Sequence, residues 1–199
     1  MKKLLSLVLC FLLLFSLSSV AFAEEEKTSY YWFEALPRTL ELFPDHNMVW
    51  KIEEVDALMW LPDAFLPIPL TDEDTANGCI GMYLMEDSDA FVLLSYSDLS
   101  GMTLDSLFSY YSQNGYDARM ITVNEIPAIL VRDTEANTLT LTYQTRDNMF
   151  FQVIFSPVSD PNYTMIFDMV ICSIQPDIQD EPDAEPVVPT NPVSSLISK

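Results

Sequence analysis

Histidine and glycine are nearly missing from this chain. One histidine, His46, and four glycines stand in 199 residues. Ser-His-Asp and Cys-His catalysis would both have to use His46, and no nucleophile elbow or orienting acid accompanies it. It follows Pro44-Asp45 ahead of the first strong strand pattern, which reads as an exposed loop, so no catalytic residue is assigned. One histidine and two distant cysteines make a poor zinc set. Four glycines leave no Gly-rich phosphate loop, and no nucleotide or other cofactor is expected.

Basic residues are the next scarcity. Nine Lys and Arg face 30 Asp and Glu, a formal charge of −21 at pH 7. Such a surface repels phosphate backbones and anionic lipid headgroups, so nucleic-acid and peripheral membrane partners are excluded. Cationic partners, divalent ions or plain solubility outside the cell fit the charge.

What is present begins with an export pattern. Lys2 and Lys3 precede an uncharged apolar stretch from Leu4 to Val20, and Ala21-Phe22-Ala23 sets small residues where signal peptidase must fit. Residues 1–23 are therefore expected to be a signal peptide cleaved after Ala23. Glu24-Glu25-Glu26 follows at once, which suits a mature N-terminus. Cleavage would remove Cys10 and leave Cys79 and Cys172. An even count in an exported chain permits one disulfide, while the apolar surroundings of both equally suit small buried side chains.

Residues 24–47 read as an N-terminal extension. Tyr30-Tyr31-Trp32-Phe33 is a dense aromatic run, offered either to the core or to a partner as a binding patch. A single α+β domain is expected over 48–175. Val49–Ile52 and Ala57–Leu61 read as short strands, the second ended by Pro62, which has no N–H to give a ladder. Residues 62–78 read as a loop. Cys79–Met85 and Ala90–Tyr96 read as a hairpin, and the near-continuous apolar run of its second strand suggests burial on both faces.

The strongest helix signal follows. Thr103 is placed to cap, Leu104, Leu107, Phe108 and Tyr111 recur at three-and-four spacing, and Gly115 stops the run. The period then falls to two across Met120–Val123, Ile126–Val131, Thr138–Tyr143 and Phe150–Phe155. Asp160 and Pro161 open a last helix, expected to end near Cys172. Residues 176–199 are acidic and proline-rich and read as a disordered tail.

Thirty acids keep carboxylate chemistry open. Glycoside or peptide hydrolysis would need two of them held in a cleft. The run Asp72-Glu73-Asp74-Thr75-Ala76-Asn77-Gly78 superficially resembles a calcium loop. Ala76 falls where an oxygen ligand is wanted, so a solvated turn is the reading and weak calcium binding the alternative.

Several short segments together resemble secreted proteins of the Mog/PsbP-like fold. Leu58-Met59-Trp60-Leu61-Pro62-Asp63-Ala64-Phe65 is similar to that group's opening strand-Pro-x-x-aromatic element. Thr103–Leu107 resembles its helix start, and Val123-Asn124-Glu125-Ile126-Pro127-Ala128 its Val-Asn-Gly-x-Pro-Ala hairpin. Phe155–Asp160 and Ile171–Ile174 resemble its closing segment. The resemblance covers roughly residues 57–175, and Glu125 departs from the usual glycine. It implies an antiparallel sheet with helices packed on its faces and a non-catalytic binding or accessory role.

The expectation is thus a secreted non-catalytic protein that binds a protein or small ligand outside the cell, through the aromatic run Tyr30–Phe33 or a sheet face. A carboxylate-dependent extracellular hydrolase is the alternative.

Overall fold

The structure is a computed structural model describing residues 28–45, 49–99 and 101–176. The expected signal peptide, His46 and the acidic tail beyond Pro176 lie outside the described residues.

Period-two segments build the centre of the fold. Strands β5 (Cys79–Met85), β6 (Phe91–Ser97), β7 (Asp117–Val123), β8 (Ile126–Asp133), β9 (Thr138–Gln144) and β10 (Phe150–Ser156) follow the expected runs to within a few residues. With two short strands, β1 (Ser29–Tyr30) and β4 (Phe65–Pro67), they form one sheet in the order β1-β7-β8-β9-β10-β6-β5-β4. Every pairing is antiparallel except that of β1 with β7. A second, three-stranded sheet joins β2 (Trp50–Ile52), β3 (Ala57–Met59) and β11 (Gln175–Pro176) in the order β11-β3-β2.

Alternation assigns the two faces. Val92, Leu94, Leu139, Leu141, Phe151, Val153 and Phe155 point to the inner face and are buried. Helix α4 (Pro161–Ser173) and the small sheet close over them, with Trp60, Phe167, Val170 and Ile171 fully buried between the layers. Truncating a ring such as Trp60 to alanine would cost about 3–5 kcal/mol. Asp160 caps α4 by accepting from the Asn162 amide at 2.8 Å. Deep in the layer, Ser173 Oγ accepts from the Trp60 amide at 2.8 Å, so this buried hydroxyl satisfies a backbone group as well as itself.

On the outer face lies α3 (Leu104–Gln113), capped by the expected Thr103. Ser106 completes a reciprocal capping box, its hydroxyl accepting from the Thr103 amide at 2.8 Å. Leu107 packs with Ile129, Val131 and Phe150 in a second, smaller core. The architecture is α+β, an antiparallel-dominated sheet with helices on both faces.

Three features differ from the sequence reading. The segment 28–45 is built into the domain: Ser29 and Tyr30 pair in parallel with Thr122 and Val123, and α1 (Trp32–Leu42) packs on α4. Residues 62–78 are not a plain loop but carry β4 and a short helix α2 (Asp72–Ala76), where the Asp74 carboxylate turns back to accept from the Thr71 amide at 2.8 Å. Strand β6 is covered on its inner face only. Phe91 and Leu93 point outward half-exposed, because α3 lies over β7 and β8 and stops short of them.

Gly78 has φ +81° and joins α2 to β5. A Cβ there would sit 2.7 Å from the Tyr96 carbonyl oxygen, so only glycine lets β5 close on β6 in this register.

Candidate functional site

Two neighbouring corners at one end of the large sheet hold the polar side chains of interest. In the first, the β7–β8 hairpin turns through Asn124 (φ 46°) and Glu125 (φ 72°). Positive φ at both central residues makes it the primed turn that suits a two-residue hairpin, with glutamate in a conformation glycine adopts more cheaply. The Asn124 side chain accepts from the Trp32 amide at 2.9 Å and donates to the carbonyls of Cys172 (2.8 Å) and Ile174 (2.7 Å). One amide therefore ties the start of α1, the hairpin and the end of α4 together.

The second corner is open. A cleft of about 440 Å³ lies between the end of the large sheet and the β2–β3 turn of the small one. Glu54, Val55 and Asp56 form one lip, and the β9–β10 turn Thr145–Asp147 forms the other. Tyr96 and Tyr143 form the floor, with Ile126 and Pro176 as apolar wall. The lining is mixed, apolar at its base and charged at its rim, as small-ligand sites commonly are.

Its electrostatics follow from the hydrogen bonds. Asp147 accepts from the Tyr96 hydroxyl at 2.6 Å and from the Thr145 hydroxyl at 2.5 Å. These two donors, Thr145 first, hold its carboxyl below the usual carboxylate range. Lys51 Nζ lies 3.5 Å from both Glu53 and Asp56. Glu54 makes no ion pair or hydrogen bond among the described residues.

Tyr143 is the unusual member. Only 8% of it is exposed, its ring packs edge-on to Phe151, and it lines the cleft. Among the described residues nothing hydrogen-bonds its hydroxyl. Burial pushes that hydroxyl far above the ordinary tyrosine range, so it stays neutral. The hydroxyl is not one of the buried polar atoms left unsatisfied among the described residues, so it reaches the cleft, where water or a ligand can meet it.

The structure separates the aromatic run predicted as a binding patch. Tyr30 is buried in β1, and desolvation, followed by nearby Asp168, pushes its hydroxyl up to about 12. Trp32 is half-buried with its ring 6.2 Å from Trp60. Tyr31 and Phe33 pair at 5.2 Å on the outside, and Phe33 is 69% exposed. Tyr30 and Trp32 thus belong to the packing, and Tyr31 and Phe33 remain at the surface.

The disulfide that the sequence permits is not formed. Cys172 is buried in the inner core and Cys79 at the start of β5, its Sγ directed to the Gly81 carbonyl at 3.6 Å. At residues 72–78 the carboxylate of Asp74 is taken up by the α2 cap. Among the described residues no three His, Cys, Asp or Glu are gathered as metal ligands, and no helix is long and apolar enough to cross a membrane.

The cleft escaped sequence reading because its walls come from five separate stretches of chain. The one signal available was Tyr143 itself, the last inward member of the Leu139-Leu141-Tyr143 alternation, whose hydroxyl needs a partner wherever the core ends.

No protein-family model matches the chain, and no curated protein matches it in sequence. Among solved structures it is similar to the solution structure of cyanobacterial PsbP (CyanoP) from Synechocystis sp. PCC 6803. The TM-score is 0.49 at 10% identity, over 65% of this chain and 91% of that one.

Proposed function

We propose that this is an exported, non-catalytic binding protein whose ligand sits in the cleft between the two sheets. The observation that carries the reading is Tyr143, a nearly buried residue that lines the cleft and whose hydroxyl has no protein partner among the described residues. The pattern of residues 1–23 supports export. The direction of Asp147 weighs against the hydrolase alternative at this site. A general acid needs its pKa raised, whereas two hydroxyl donors hold Asp147 low. The exposed pair Tyr31 and Phe33 offers a protein partner a small apolar contact away from the cleft.

The test is a fragment screen on the exported protein, read by amide chemical shifts. Ligands that move the Glu53–Asp56 and Thr145–Met149 turns together support a binding cleft. A chemically broad screen in which no fragment touches either turn would remove it.

A further inference from the structure

The chemistry of the cleft narrows the ligand class, on the footing that the cleft is a binding site. Of the described residues that line it, three are carboxylates, Glu54, Asp56 and Asp147, against one cation, Arg146. Asp147 is oriented by two hydroxyl donors and Glu54 has no ion-pair or hydrogen-bond partner among the described residues, so negative charge stands at both turns. A cleft walled by low-dielectric protein and bordered by like charges focuses the field on an incoming counter-charge.

Three properties choose among cations. The carboxylates are not gathered tightly enough for a metal ion among the described residues, and they come from two separate turns that line a space of about 440 Å³. Tyr96, Ile126 and Pro176 supply an apolar lining suited to methylene groups. Among the described residues no group donates to the Tyr143 hydroxyl, and an ammonium or guanidinium group carries donors and no acceptor.

We infer that the cleft binds an organic cation, an alkylammonium or guanidinium group on an apolar stem, which donates to the Tyr143 hydroxyl while Glu54 and Asp147 balance its charge. Such a group is borne by a lysine or arginine side chain of a peptide or by a free polyamine.

Titrations of the exported protein, followed by amide chemical shifts, test this. The probes are Nα-acetyl-lysine amide, Nα-acetyl-arginine amide, spermidine, the uncharged Nα-acetyl-norleucine amide and glutarate. The cationic probes should shift the Glu53–Asp56 and Thr145–Met149 turns, and norleucine amide and glutarate should leave them still. The acetylated amides binding alone would indicate a peptide side chain, and spermidine alone a polyamine. Tyr143→Phe should weaken the cationic probe about tenfold, as loss of one hydrogen bond to a charged group does, and Glu54→Gln about threefold. Because the Tyr143 hydroxyl has no protein partner among the described residues, Tyr143→Phe should melt no earlier than the parent, so a lost response would not reflect unfolding. Norleucine amide or glutarate binding as well as the cations, or in their place, would overturn the cation and leave the binding cleft standing. Silence from every probe at both turns would overturn the cation, while the broader fragment screen judges the cleft separately.

Discussion

The two corners at this end of the sheet are built from similar materials and finished differently. At the Asn124 corner each side-chain polar atom is matched to a backbone group of another element. At the cleft the lips are held firmly, by Tyr96 and Thr145 on Asp147 and by Lys51 on Asp56, while the floor hydroxyl of Tyr143 is left over. Fully matched polar atoms fasten a fold, and one left facing an open volume is met by water until a ligand replaces it. The corner that closes the domain and the corner that opens it are thus distinguished by hydrogen-bond accounting rather than by residue type.

The comparison is most directly broken at Asn124. Asn124→Ala strands the Trp32 amide and two carbonyls and leaves alanine at positive φ, so about 2–4 kcal/mol of stability should be lost in chemical denaturation. A loss below about 1 kcal/mol would mean that the corner is not the fastening described.

The cleft should behave in the opposite way. Tyr143→Phe should be neutral or stabilising by up to about 1 kcal/mol in the same assay, since the hydroxyl removed has no protein partner among the described residues and faces the cleft. A clear destabilisation would place a hidden structural partner on that hydroxyl.

Alkali separates the corners by another route. Tyr30, next to the Asn124 corner, keeps its proton to about pH 12 in the fold and loses it near 10 in the unfolded chain. Its contribution is fully present below pH 10 and is lost as pH rises toward 12. Urea midpoints measured from pH 8 to 11 should fall above pH 10, and Tyr30→Phe should flatten the fall.

The smallest effect is expected at Glu125. Glu125→Gly relieves a left-handed glutamate in the primed turn and should stabilise by about 1 kcal/mol, visible as a small rise in melting temperature.

Much of the scaffold was legible in the sequence, for local reasons. Thr103 and Asp160 cap the helices they were expected to cap, and the alternation of Leu139, Leu141 and Tyr143 set which face of β9 turned inward. These signals are carried by neighbours in the chain. The aromatic run shows where such reading stops. Tyr30 and Trp32 were sorted from Tyr31 and Phe33 by a parallel pairing with β7, nearly a hundred residues away, and by the approach of Trp60. Likewise the apolar run of β6 implied cover on both faces, and only the position of α3 showed that one side stays half-open.

Charge, the export pattern, periodicity and the caps follow from the order of residues alone, because composition and short-range backbone preferences need no partner. That Cys79 and Cys172 form no disulfide, that residues 28–45 complete the domain, and that Glu54, Tyr96, Tyr143 and Asp147 share one cleft emerges only in the folded chain. Each of these depends on contacts between segments distant in the chain, whose meeting is set by how the two sheets pack and not by any local pattern.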